Sequence, residues 1–312
     1  MFYAFRDTIY ELAKMDKRII LISVDQDVGL SHLQFEMPDQ FFMEGISEAN
    51  AIGMASGLAA DGFRPFILNH ASFLTRRCYE QIVLDACLQE RPIRLVGMGS
   101  GLATAHLGPT HTIIEDIAIM RAIPGMTVIA PCDAVEMKKL MPHILKWPKP
   151  VYIRLARYGK PIVTRDEGEV EIGKAVVLYK GESSKKNVLL ISTGAMTLSA
   201  IKAVEELKEA GIECTVLHVH TIKPLDKNAI IELAQKAKLI VTLEDHTIIG
   251  GLGSACLEVL MDNINSKDLP QVHRMGLPDK FIHEYGTQES LMEEFGLQPA
   301  QIANRIIKFM KK

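Results

Sequence analysis

The sequence predicts an α/β protein built from two consecutive parallel-sheet α/β domains. Short, continuously apolar runs alternate with longer helical stretches. The alternation breaks once, across a segment rich in Gly, Pro and polar residues, and then resumes. Runs that are apolar on both faces belong in a parallel sheet covered by helices on either side.

In chain order, Arg18–Val24 (RIILISV) reads as a buried strand. Glu48–Ala60 reads as a helix whose Ala51, Gly53, Ala55, Ser56 and Gly57 allow close packing. Pro65–Leu68 is a short strand and Tyr79–Leu88 a helix. Ile93–Gly97 is a strand, Ile113–Arg121 a helix and Met126–Ala130 a strand. Ala134–Leu145 is a helix and Val151–Leu155 a strand. Run length and apolar periodicity separate the two types. Gly159, Pro161, Gly168, Gly173 and the polar run Gly181–Lys186 (GESSKK) interrupt the pattern. The expected division is residues 1–160 as a first domain, 161–186 as a linker and 187–312 as a second domain. Beyond the linker, Asn187–Ser192, Glu213–Val219, Leu239–Leu243 and Gln271–Met275 read as strands. Thr197–Ala210, Asp226–Lys236, Gly253–Met261 and the tail from Gln288 read as helices.

A chain of 312 residues, 48% hydrophobic, is enough for two ordinary domains. The net charge of −3 offers no basic field for nucleic acid or an anionic membrane. Apolar runs such as Val188–Ile191 fall far short of the roughly 20 residues that span a bilayer. Met1–Asp7 carries an acid early and no charged-then-apolar pattern, so no signal peptide is expected. The five cysteines are scattered without a CxxC pair, which fits a reducing cytoplasm and argues against a disulfide frame or zinc knuckle.

Several constellations can carry chemistry. Gly45–Asn50 (GISEAN) puts Glu48 at the start of a nearly uncharged helix. A carboxylate at the edge of such a seam is costly without a dedicated partner; its bland use is to offset the helix dipole. Gly97–His111 (GMGSGLATAHLGPTH) reads as a mobile loop after a strand, carrying His106 and His111 where ligands bind in open α/β sheets. Phe73 precedes Arg76 and Arg77, a set able to seat a flat ring and an anion, though core packing beside a solvated face is commoner. Arg154 and Arg157 flank a strand end and suit an anion, or form a solvated pair. His218 and His220 share a strand face without a third ligand, which favours a structural pair over a metal site. Gly250–Cys256 (GGLGSAC) lacks the third glycine of a dinucleotide loop, which favours helix docking as its use.

Together these residues resemble the C-terminal half of a transketolase, a thiamine-diphosphate enzyme. The ordered set runs from Asp25-Gln26-Asp27 and GISEAN through Arg77–Gln81 (RCYEQ), Gly108–His111 (GPTH) and Arg121–Val128 (RAIPGMTV). It continues through Thr221–Asp226 (TIKPLD) and Ile249–Ser254. The tail, Gly276–Phe281 with Gly286–Glu289, is similar to 1-deoxyxylulose-5-phosphate synthase.

The resemblance implies a pyrimidine-binding domain followed by the family's C-terminal domain. It implies thiamine diphosphate with Mg2+ or another divalent metal, held by a GDG motif in a domain that precedes this part. This sequence has no GDG. The expected partner is therefore an N-terminal transketolase subunit carrying GDG, in an α2β2 assembly that uses a small-molecule sugar. Glu48 matches the glutamate that shares a proton with the cofactor's aminopyrimidine, and Phe73 an aromatic of that pocket. His70 stands where the family has an aromatic and is assigned to the same pocket. His111 matches a histidine that contacts substrate hydroxyls and shuttles protons, while Arg157 and Arg77 match arginines for the substrate anion. Leu107 replaces the family's Asp before GPTH, with His106 beside it as a partial substitute, and Gly99 replaces a phosphate-binding His. These departures imply two-carbon ketol transfer on a substrate pair other than the ordinary pentose phosphates. Rival readings are a pyruvate-decarboxylating carboligase, the β chain of a 2-oxoacid dehydrogenase and a non-catalytic scaffold.

Overall fold

The computed structural model describes residues 1–24, 29–156, 161–164, 168–181 and 187–311. The first part runs α1 (Phe2–Met15), β1 (Ile19–Val24), α2 (Leu33–Glu36), β2 (Phe41–Glu44), α3 (Glu48–Ala60), β3 (Arg64–His70) and α4 (Ala71–Arg76). It continues with α5 (Tyr79–Gln81) and a π-helical turn over Ile82–Cys87, β4 (Arg94–Met98), a 3-10 turn at Ala105–Leu107, α6 (Asp116–Ala122), β5 (Thr127–Ile129), α7 (Ala134–Lys146) and β6 (Val151–Leu155). The second part is β7 (Val176–Lys180), β8 (Asn187–Ser192), α8 (Met196–Glu209), β9 (Glu213–His218), β10 (Thr221–Lys223), α9 (Lys227–Ala234), β11 (Leu239–Thr247), α10 (Leu252–Asn263), β12 (Gln271–Leu277), α11 (Gln288–Glu294) and α12 (Pro299–Met310).

Two sheets result. The first is ordered β10-β5-β6-β4-β3-β1-β2 and the second β12-β11-β8-β9-β7. All of β1 and β6 is buried, as two-sided cover requires. On the first sheet, α1 and α7 pack one face and α3, the π turn and α6 the other. On the second, α8 and α12 oppose α9 and α10.

The sequence reading holds for α3, β6 and β8 to the residue. The expected helix Tyr79–Leu88 is α5 followed by the π-helical turn, and four further differences bear on the architecture. The sheets are not wholly parallel: β10 joins β5, and β7 joins β9, both antiparallel. β7 lies inside the expected linker 161–186: its short apolar run VVLYK, set between glycines and the polar run 181–186, forms an edge strand of the second sheet. α6 starts at Asp116 because Ile113 instead bridges to Gly101. The helical tail is two helices, parted at Gly296 with φ +70°.

β10 belongs to the second half of the chain yet completes the first sheet. The two domains also meet through buried charge. Arg154 on β6 donates from Nε to Asp116 Oδ2 (2.9 Å), from Nη1 to Asp245 Oδ1 (2.6 Å) and from Nη2 to the Asp245 carbonyl (3.1 Å). Tyr152 donates its hydroxyl to Asp116 Oδ2 at 2.7 Å. Asp245 sits on β11 and Asp116 opens α6, so one guanidinium ties the two sheets together. Arg154 is thus neither a substrate arginine nor a solvated one.

A second contact joins α7 to β9. His218 Nε2 meets Glu136 Oε2 at 2.8 Å, and the same oxygen accepts the Cys132 N–H at 2.8 Å. The other ring nitrogen, Nδ1, bonds Thr197 Oγ1 at 2.8 Å. Burial alone would raise the Glu136 pKa, but the facing His218 holds it down to about 2. Cys132, Glu136 and His218 bring metal-ligand atom types within 4.8 Å of one another, so the expectation that His218 and His220 stand without a third ligand does not hold; Glu136 is hydrogen-bonded to both the His218 ring and the Cys132 backbone N–H. His220 is buried beside them with Nδ1 bonded to Thr221 Oγ1 at 2.8 Å, and burial pushes its imidazole down to about 4.

Two outcomes follow from these contacts. Arg154→Met leaves two carboxylates buried without counter-charge, and urea denaturation is expected to show a loss of about 3–5 kcal/mol; a loss under about 1 kcal/mol would contradict the role. His220 is neutral in the folded state below its ordinary pKa of about 6.5, where the unfolded chain takes up a proton. Its contribution is therefore present above pH ~6.5 and lost as pH falls toward 4, by up to about 3 kcal/mol. Denaturation midpoints from pH 7 to 4 should fall less steeply in His220→Gln; parallel curves would show that His220 does not titrate this way.

Candidate active site

The carboxyl ends of β2, β3 and β4 lie at one edge of the first sheet, where an open α/β fold binds ligands. Glu48 opens α3 shortly after β2, and its side chain is only 4% exposed. Two donors converge on one of its oxygens. Asn69 Nδ2 lies 2.9 Å from Oε1 and Arg77 Nη1 2.8 Å. Asn69 is itself oriented, because its Oδ1 accepts the His70 N–H at 2.7 Å. Oε2 carries no hydrogen bond among the described residues.

Beside this carboxylate stands a small aromatic cluster. His70 ends β3, and Phe73 lies on α4, which follows directly. The rings of His70 and His111 meet Phe73 edge-on at centroid distances of 5.8 and 5.0 Å, and each other at 5.2 Å. The Arg77 guanidinium carbon stands 4.1 Å from the Phe73 centroid, so this planar cation spans the ring and Glu48.

His111 comes from the loop after β4. The sequence suggests mobility here; the loop is instead pinned. Thr104 Oγ1 donates to the carbonyls of Gly99 and His111, both at 3.1 Å, and Thr112 Oγ1 to that of Gly108 at 3.0 Å. Gly99 has φ +67°, and a Cβ there would lie 2.4 Å from Thr104 Cγ2, so a histidine does not fit without moving the turn. Gly101, with φ +63°, would place a Cβ 2.1 Å from Asp245 Oδ2. Burial, then the nearby charges of Arg77 and His106, lower the His111 pKa. The imidazole is held neutral, with Nδ1 bonded to Thr110 Oγ1 at 2.9 Å. It can therefore accept a proton or a hydroxyl hydrogen bond.

The structure thus assembles Glu48, His70, Phe73, Arg77 and His111, with His106 exposed nearby. Arg157 lies outside the described residues. Sequence reasoning does not reach Asn69; its one signal is an amide closing the apolar strand PFIL. A cavity of about 400 Å³ borders the same loop through Pro109 and Thr112 and is lined also by Arg76, Glu115, Lys280 and Phe281. Glu48, Phe73 and His111 do not line it.

The glycine run at 250–253 has its own use. Glu244, buried on β11, accepts the N–H groups of Leu252 at 2.7 Å and Gly253 at 2.9 Å, at the amino end of α10. A Cβ at Gly251 would lie 1.9 Å from Glu244 Oε2. The chain's own carboxylate occupies the position a ligand phosphate would take. Burial pushes the Glu244 carboxyl up to about 7.

Residues 1–159 match the transketolase pyrimidine binding domain and residues 173–302 the transketolase C-terminal domain. The chain is 34% identical to one of the subunits of the apulose-4-phosphate transketolase of Phocaeicola vulgatus, over 99% of this chain and 97% of that protein. It is 38% identical to the 6-deoxy-6-sulfo-D-fructose transketolase subunit SqwH of Clostridium sp., over 95% and 90%. A 1-deoxy-D-xylulose-5-phosphate synthase of Cyanothece sp. is 37% identical over 97% of this chain, which spans about half (47%) of that longer protein. Among solved structures, one described as a split gene transketolase, inactive beta4 tetramer, superposes with a TM-score of 0.88 at 30% identity, over 99% of this chain and 97% of that one. Among the described residues, no helix is long and apolar enough to cross a membrane.

Proposed function

This chain belongs to the transketolase family, and from that premise we propose that it is the pyrimidine-binding subunit of a two-chain transketolase. It transfers a two-carbon ketol unit from an anionic ketose to an aldose. The observation that carries the reading is the Glu48–Phe73 pair. Glu48 keeps Oε2 open, and Phe73 already carries a planar nitrogen cation bonded to the same carboxylate. A ring with nitrogen donors and acceptors, such as the aminopyrimidine of thiamine diphosphate, fits those two surfaces.

Glu48, Phe73 and His70 would hold that ring. When bound, the cofactor supplies the nucleophilic carbon and the electron sink for breaking a ketose C2–C3 bond. Glu48 holds a proton between Oε2 and the ring, with Asn69 fixing the carboxyl orientation. His111, held neutral, accepts a proton from a substrate hydroxyl at its open ring nitrogen, and Arg77 and His106 face the substrate anion.

A partner is needed to complete the site. The face of α3 next to Glu48 presents Asn50, Gly53, Gly57 and Ala60, all exposed and uncharged. Ile46, 67% exposed, continues it. Exposed small residues let a second backbone approach closely beside the carboxylate. The relatives named as transketolase subunits are matched over nearly their full length, which supports a separate chain bearing GDG, the diphosphate and the divalent metal. The assembly proposed for the two chains is α2β2. The exposed Leu107 and the tight turn at Gly99 remove two polar substrate contacts, so the substrate pair departs from the ordinary pentose phosphates.

Two experiments test this. The tagged chain, drawn from its host lysate with thiamine diphosphate and Mg2+, should bring down a stoichiometric GDG-bearing partner. A donor–acceptor screen of that complex should favour a pair other than xylulose 5-phosphate and ribose 5-phosphate. No partner and no cofactor binding would overturn the subunit reading, and preferred turnover of that pentose pair would overturn the substrate reading. In the same complex, Glu48→Ala should cut the rate by about 10²-fold or more; an unchanged rate would favour the scaffold reading.

A further inference from the structure

Arg77 stands on the surfaces that the proposed function gives to the cofactor ring. It donates to Glu48 Oε1 at 2.8 Å and lies over the Phe73 face at 4.1 Å. The pair is lopsided: the Glu48 side chain is 4% exposed and that of Arg77 is 45% exposed. Arg77 caps α4 with a long side chain that stays half-exposed. A buried carboxylate needs a donor at all times. A half-exposed arginine can leave at modest cost, because water already solvates much of it.

We infer that Arg77 is a displaceable placeholder, which neutralises Glu48 through Oε1 and covers Phe73 until the cofactor ring takes the Phe73 face and bonds Oε2. The inference rests on the reading of Glu48 and Phe73 as the ring's pocket. A planar cation stacked on an aromatic covers the surface a nitrogen heterocycle would take, so the two compete for the Phe73 face. Displacement frees the guanidinium beside His111, whose pKa it already influences. The anion-binding arginine is thereby delivered to the substrate only after the cofactor has loaded, so the cofactor binds before the sugar. Until then, the cofactor's apparent affinity is reduced by the fraction of molecules in which Arg77 is docked.

The test uses the two-chain complex, stripped of cofactor, in wild-type, Arg77→Ala and Arg77→Lys forms. Thermal unfolding of the stripped complex and calorimetric titration with thiamine diphosphate plus Mg2+ are both read. Arg77→Ala should unfold at a lower temperature and yet bind the cofactor about three- to tenfold more tightly. Arg77→Lys, which keeps the charge but loses the flat stack, should fall between. A purely structural arginine would lower both stability and affinity, and an arginine that holds the cofactor would lower affinity alone. Unchanged or weaker binding in Arg77→Ala overturns the inference. Phe73→Ala and Glu48→Ala separate this from failure of the pocket itself. If they weaken binding while Arg77→Ala does not tighten it, only the placeholder fails; if neither weakens it, the ring sits elsewhere and both readings fall.

Discussion

A guanidinium sealed between two carboxylates sets the geometry of this chain. Desolvating Arg154, Asp116 and Asp245 is costly, and the cost is offset only while all three stay in register. That requirement couples the sheets. Asp245 stands against Gly101, so the turn after β4 packs directly on the second domain. The same turn, braced by Thr104, carries His111 to Phe73. A contact made for assembly thereby reaches the site, although none of its charges touches the residues that bind.

The proposed function makes this site one half of a two-chain site. Its elements come from three successive strand ends, and its carboxylate has one oxygen satisfied from within and the other left open. The exposed uncharged face of α3 begins at that carboxylate. On the proposed reading recognition and catalysis share one boundary, and a second chain docked there would exclude water from Glu48. The internal bond from Arg77 keeps the carboxylate tolerable while that boundary is uncovered.

Much of this is legible in the residues. The helix Glu48–Ala60 and the strands Val151–Leu155 and Asn187–Ser192 have the run length and polarity their environments demand, so local pattern and burial agree. Glu48 and His111 stand out because the GISEAN and GPTH motifs carry them, and Phe73 because it precedes the Arg76–Arg77 pair. What escapes is what depends on distant partners. Thr221–Lys223 has no strand pattern and becomes one only by pairing with β5. Val176–Lys180 reads as linker because its short apolar run lies between Gly168, Gly173 and the polar run Gly181–Lys186, and it becomes a strand by pairing with β9. The loop at 97–111 reads as mobile because its glycines signal freedom in sequence, whereas here they signal contacts too close for a side chain. Arg154 resembles an anion ligand since nothing nearby in sequence reveals that its anions are Asp116 and Asp245.

The placement of β10 has a consequence for synthesis. The strand β5 emerges from the ribosome some ninety residues before the segment Thr221–Lys223 that caps it. Throughout that interval the nascent first sheet presents an open backbone edge, able to pair with any other extended chain nearby. The hazard is greatest on polysomes, where identical unfinished chains crowd together. Truncation between the two domains would make the open edge permanent, so this protein is a unit of translation as well as of folding.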